Sequence, residues 1–422
     1  MKMKLKFRLL IMMSITYFYS YGQSQTLTYK EYMKNVKENN IDYVIKKYDV
    51  NIAEANLQAS KVFPDPELSF SYSNNQDKTM NMGQSYEGAL EYTLELGGKR
   101  DARIGVTRSE SELTKILLED YFRNLRADAT LSYLNALKQK DFLNFSRLYQ
   151  QKMIMLAHSD SIRFSLGNIT KVDAIQSNFE ANKTFNDVIQ SEYEFKNSLT
   201  NLIIFQGDKQ FSGIDSISGQ LIFIKKEFNL MNLINIALNN RTDLKAILQS
   251  KDLSEKNLRL IKANRVLDLG LNLNVSHNTE VKNELAPAPA FSSITAGIAI
   301  PIKFSNLNKG EILSAKYAIK QSEASYEGIE IQIRKEVVQA YNYYTSTCNQ
   351  VEQYNKTLLI DADTILKSKT YSYQRGETTL LEVLNAQKTY NEIYQNYYET
   401  LFNCLSSLVE LERSCGIWDV EL

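Results

Sequence analysis

Two histidines, His158 and His277, are the whole imidazole complement of this 422-residue chain, so imidazole-based acid–base or metal chemistry would have to run through them. Neither stands at metal-ligand spacing from another His or a Cys. No phosphate-cradling loop follows a strand, because Gly97-Gly98 lacks the further glycines and the Lys-Ser/Thr ending. His158 falls on a helical stretch near a turn, and His277 is expected to open a loop. The cysteines, Cys348, Cys404 and Cys415, are odd in number. Cys404 and Cys415 sit on one helical stretch about 16 Å apart at 1.5 Å per residue, beyond disulfide reach. All three are read as small apolar packers rather than staples or ligands. With no base, nucleophile or metal cluster, the chain is expected to be no enzyme and to need no cofactor. Its 49 basic and 49 acidic residues balance, which leaves no electrostatic footprint for nucleic acid.

The elements that carry these residues come twice. Asp42 to Ser73 lies over Asp243 to Asn274 without a gap, with Asn56, Leu57 and Lys61 falling on Asn257, Leu258 and Lys262. Each copy reads helix, strand, loop, strand, very long helix, turn, long helix. The copies are placed at 23–207 and 229–422, with 208–228 as a linker. A repeat of this size is a duplicated domain rather than a solenoid unit. Only 16 Gly and 5 Pro interrupt the chain, so long unbroken helices are expected at about 99–165, 170–207, 309–374 and 378–414. In them apolar residues recur every three or four positions, as in Ile312, Ala315, Ile319 and Tyr326, or Val383, Ala386, Tyr390 and Ile393. The opposite faces are polar, suited to water rather than lipid. Residues 1–22 read as an export signal: Lys2, Lys4, Lys6 and Arg8 precede an apolar run too short to span a membrane, and Ser20 and Gly22 suit cleavage before Gln23.

Four runs alternate apolar and polar residues, at about 67–75, 86–96, 267–277 and 291–302. Leu68, Phe70 and Tyr72 are set against serines; Leu271 and Leu273 are set against Asn272 and Asn274. On the polar face Glu91, Glu95, Asp268 and Asn272 are expected to look into a lumen, with the apolar face on lipid. Each run has the length of a tilted outer-membrane strand. Four strands alone would leave unpaired edges in hydrocarbon, so the chain must assemble. Two chains would give eight strands and a bore filled by side chains; three would give twelve and room for a channel, which makes a trimer the preferred arrangement.

Pro64-Asp65-Pro66-Glu67-Leu68-Ser69 and Leu94-Glu95-Leu96-Gly97-Gly98-Lys99-Arg100 resemble the strand-to-helix landmarks of the TolC-like outer-membrane efflux family, in wording similar to its cation-efflux branch of the Czc and Cus type. Leu166-Gly167-Asn168 and Arg375-Gly376-Glu377 look like that family's two hairpin tips, and Thr379 to Ala386 resembles the helix returning from the second. The resemblance covers essentially all of the mature chain. It implies a mainly α fold with a membrane β-barrel: a homotrimer with twelve strands in outer-membrane lipid and a helical tunnel in the periplasm. It further implies tips that meet a periplasmic adaptor (membrane fusion) protein and, through it, an inner-membrane transporter of the RND type. Acids six positions past each tip glycine crowd the family's narrow end, and here they are Asp173 and Glu382. Where the family often repeats an acid, this chain has Asn385, which weakens the implied ring. The function so implied is a passive exit duct of a tripartite efflux pump for small toxic solutes, metal cations among them. A conduit for type I protein secretion, or a structural coiled-coil envelope protein without a pore, are the alternative classes; four alternating strands count against the second.

Overall fold

A computed structural model describes residues 26–75, 81–208, 214–302 and 307–419. The expected export signal lies outside the described residues. The first copy runs β1 (Thr26–Leu27), α1 (Tyr29–Asn39), α2 (Ile41–Ala59), β2 (Glu67–Asn74), β3 (Gln84–Leu94), α3 (Lys99–Ser165) and α4 (Lys171–Gln206). After β4 (Ser216–Ile217), the second runs α5 (Leu230–Asn240), α6 (Thr242–Ala263), β5 (Leu269–Asn278), β6 (Phe291–Ala299), α7 (Lys309–Gln353), α8 (Leu359–Gln374) and α9 (Leu380–Cys415). A π turn at Tyr354–Leu358 joins α7 to α8, so the helix expected over 309–374 changes its hydrogen-bond step once. The chain forms two compact units, and each draws on both copies.

One unit comprises Lys46–Glu119 and Thr242–Ile331. Its centre is an antiparallel sheet in the order β2-β3-β5-β6, in which β2 and β6 are edges. Register keeps like with like. Leu90 pairs with Leu68 and Leu273, and Leu271 with Tyr92 and Ile298, while Glu91 faces Asn272. The apolar face is bare, with Leu68, Phe70, Leu271, Leu273, Ile294 and Ile298 all exposed. On the polar face Ser71 donates to Glu87 at 3.2 Å, and the Asn274 amide also reaches Glu87. His277 lies within β5, with Nδ1 2.9 Å from Ser292 Oγ, rather than opening a loop.

The strands stop earlier than alternation alone suggests. Glu95 and Asp268, expected as lumen residues, lie past the ends of β3 and β5. Glu95 instead holds the Arg103 guanidinium with both oxygens, at 2.8 and 3.1 Å, and Asp268 takes Lys99 at 2.7 Å. Two basic residues in the first turns of α3 thus withdraw both acids from the sheet. Entry into the long helix that follows each strand pair uses two successive residues with positive φ: Gly97 and Gly98 before α3, Leu307 and Asn308 before α7. A Cβ on Gly97 would also run into Val266.

The other unit holds the chain through Ile45, Asp120–Arg241 and from Gln332 onward. Parallel pairing of β1 with β4 is fixed by Tyr133, whose hydroxyl lies 3.1 Å from the Leu27 carbonyl and 2.9 Å from that of Ser218. The Tyr32 ring packs 5.5 Å from that of Tyr133, and Leu134, Leu137, Leu202 and Ile217 are likewise fully buried in this unit. Farther along, Phe145 on α3 stacks on Tyr394 of α9 at 4.9 Å between ring centres. The reading of all three cysteines as packers is corrected here, because Cys348 and Cys404 are joined by a disulfide, with Cα atoms 5.3 Å apart. Spacing along one helix excludes Cys404–Cys415 but cannot see α9 passing back beside α7. Cys415 is a buried free thiol, and burial pushes its pKa up to about 11.

Candidate functional site at the hairpin tips

Both helical hairpins turn by the same local device. At the first tip Gly167 has φ +75°, its N–H donates to Phe164 O at 2.9 Å, and the Asn168 N–H donates to Arg163 O at 2.8 Å. At the second Gly376 has φ +77°, with matching bonds from Gly376 to Tyr373 O at 3.0 Å and from Glu377 to Ser372 O at 2.9 Å. Only glycine adopts this backbone without steric cost, and the pattern satisfies the last helical carbonyls. Leu166 stands 69% exposed on the first turn. At the second, Arg375 pairs with Glu377 at 2.9 Å.

Asp173 and Glu382 each sit at the third position of the helix leaving a tip, but their surroundings differ. Asp173 closes a capping box: it accepts from the Thr170 N–H at 3.2 Å and from its hydroxyl at 2.7 Å, and its own N–H donates to Thr170 Oγ1 at 3.1 Å. Glu382 accepts from Thr378 Oγ1 at 2.6 Å and takes Lys369 Nζ at 2.5 Å. Hydrogen bonding to Lys369 holds its carboxyl below the usual glutamate value. Asn385 is exposed one turn on.

Sequence reasoning missed the group that joins these helices. Asp160, on α3 before the first tip, is wholly buried, and the Tyr373 hydroxyl from α8 donates to its Oδ1 at 2.9 Å. Arg163 lies 3.9 Å from the same oxygen and over the Tyr373 ring at 4.4 Å. Burial pushes the Asp160 carboxyl above its ordinary value, while Tyr373, Ser177 and Arg163 pull it back. Beneath lie Leu380 and Val383, packed with Tyr373 and Leu156. Two helices, α3 of the first hairpin and α8 of the second, are thus tied at one carboxylate.

Comparison with known proteins bears on the whole arrangement. Residues 233–416, from within α5 to the end of α9, match the model of the outer membrane efflux protein family. The cobalt-zinc-cadmium resistance protein CzcC of Cupriavidus metallidurans is 20% identical over 370 residues, covering 87% of this chain and 85% of that protein. The chain is TolC-like. The outer membrane protein TolC of Vibrio cholerae is itself 21% identical over 301 residues, covering 68% of this TolC-like chain and 66% of its own length. Among solved structures, CusC, studied for folding and transmembrane channel formation, superposes with a TM-score of 0.76 at 17% identity, over 94% of this chain and 96% of that one. The fold is therefore shared along nearly the full length, the first copy included.

Proposed function

We propose that this chain is the outer-membrane channel of an efflux pump, a homotrimer whose three sheets close into one twelve-stranded barrel and whose helices form a periplasmic tunnel. The observation that carries the reading is the four-stranded sheet with one apolar, exposed face and two open edges, on a TolC-like chain. Such a sheet is stable in lipid only when closed. Among the described residues no helix is long and apolar enough to cross a membrane, so the reading places the strands there. The tips at Leu166, Gly167, Asn168, Arg375, Gly376 and Glu377 are the surface offered to a periplasmic adaptor. The adaptor in turn engages an inner-membrane transporter of the RND type, which supplies the energy. Glu91 and Asn272, side by side on the polar face, look into the barrel, and Asp173 and Glu382 stand at the narrow end. Likeness to the metal-resistance protein CzcC favours metal cations among the exported solutes.

The test is reconstitution of the purified protein into planar bilayers. Discrete, stable conductance steps are expected; folded protein that inserts and conducts nothing overturns the reading.

A further inference from the structure

Duplication makes the two tips a built-in comparison, because each position in one has a counterpart at the same distance from the tip glycine in the other. Asp173 and Glu382 correspond. So do Asp160 and Lys369, each seven residues before its glycine. The first copy therefore carries two acids where the second carries a base and an acid. Asp160 is buried against Tyr373 and, being an acid like Asp173, can only repel it, a repulsion that helps raise the Asp160 pKa. Lys369 instead reaches across the hairpin to Glu382.

We propose that Lys369 sets the charge of the channel's periplasmic end by cancelling Glu382 in every protomer, leaving Asp173 as the carboxylate that acts on passing ions. This rests on the reading of Asp173 and Glu382 as lining the narrow end. Among the described residues Asp173 accepts only from Thr170, a neutral donor, and no base forms an ion pair with it. Glu382 shares its oxygen between Lys369 and Thr378, and the remaining tip acid, Glu377, is held by Arg375. The Lys369 and Glu382 side chains are 45% and 47% exposed, so the pair contributes little to stability. Its consequence is electrostatic. A lone carboxylate near a narrow passage concentrates cations, whereas a carboxylate beside an ammonium presents only a dipole, whose field fades over a few ångströms in water. Six formal acids around a threefold axis thus act as three.

The experiment measures reversal potentials across planar bilayers in a KCl gradient for the intact trimer and for Lys369→Gln, Glu382→Gln, the two combined, Lys369→Arg and Asp173→Asn. Lys369→Gln should raise the potassium-to-chloride permeability ratio roughly three- to fivefold, the size expected for one unmasked charge a few ångströms from the ion path. Glu382→Gln should lower the ratio by exposing the lysine, the double variant should return to the starting value, and Lys369→Arg should leave it there. Asp173→Asn should lower the ratio on its own. If Glu382→Gln shifts selectivity while Lys369→Gln does not, Glu382 lines the passage but Lys369 does not cancel it, and the proposal fails alone. If none of the variants shifts selectivity in conducting trimers, the placement of both carboxylates at the narrow end fails with it.

Discussion

Asp160 carries a charge that burial disfavours, and its neighbours only partly compensate. Its folded pKa lies above the ordinary aspartate value of 3.8, so the folded state binds the proton more tightly than the unfolded chain does. Lowering the pH through that raised value therefore stabilises the fold at this residue, and raising it has the opposite effect. Asp160→Asn keeps an oxygen for the Tyr373 hydroxyl and removes the charge; it should be neutral or stabilising at pH 7.5, with the difference from wild type shrinking toward pH 4. Asp160→Ala leaves that buried hydroxyl without its acceptor and should cost about 1–3 kcal/mol. Thermal midpoints of both variants at the two pH values check this, and equal losses for Asn and Ala would show that the hydrogen bond is not what matters. The residue was not legible in the sequence, where it is one acid among many on a long polar helix. What buries it is Tyr373, a residue of the other copy. The tip glycines were legible because a left-handed turn selects for glycine; Leu307 and Asn308 adopt the same backbone without it and so gave no signal.

Strands and helices were legible wherever a single period runs unbroken, and illegible at their ends. Alternation continues through Glu95 and Asp268, yet Arg103 and Lys99 draw those acids out of the sheet, and no periodicity encodes that competition. Inside the strands the facing is sharp enough to test. Leu271 lies between Tyr92 and Ile298 on the bare face, while Asn272 lies between Glu91 and Gly297 on the other. Leu271→Arg should destabilise the folded protein in lipid by about 2–4 kcal/mol near the membrane midplane, whereas Asn272→Arg should fold and alter conductance. Equal tolerance would mean that the sheet does not stand in a bilayer. The disulfide between α7 and α9 was hidden for a different reason, since pairing depends on which helices become neighbours. It closes a loop with a sequence separation of 56. Cys404→Ser should accordingly cost about 4 kcal/mol in the loop-entropy model. Reducing agent should shift the wild-type melting transition toward that of the variant and leave the variant where it is.

At the scale of the whole molecule, the duplication extends to single contacts. Gly207, at φ +67°, ends α4 against the backbone at Asn39 and Asn40, where α1 stops; Gly416, at φ +68°, ends α9 against the backbone at Asn240 and Arg241, where α5 stops. Two copies of one plan on a single chain give an even number of strands and place one hairpin of each copy beside the other, with β3 paired to β5. The remaining edges are β2 from the first copy and β6 from the second. An edge strand of one chain can pair with the opposite edge of the next only head to tail, and such a contact generates a ring when the rotation closes. Closure at two chains gives eight strands with a filled bore, and closure at three gives the smallest ring that leaves a passage. Light scattering of the purified protein in detergent should therefore report one species with about three times the mass of a chain, and substituting Pro within β2 or β6 should convert it to monomers by removing edge hydrogen bonds. A monodisperse monomer that still inserts into outer-membrane vesicles would show that the edges are capped some other way, and the trimer would fall.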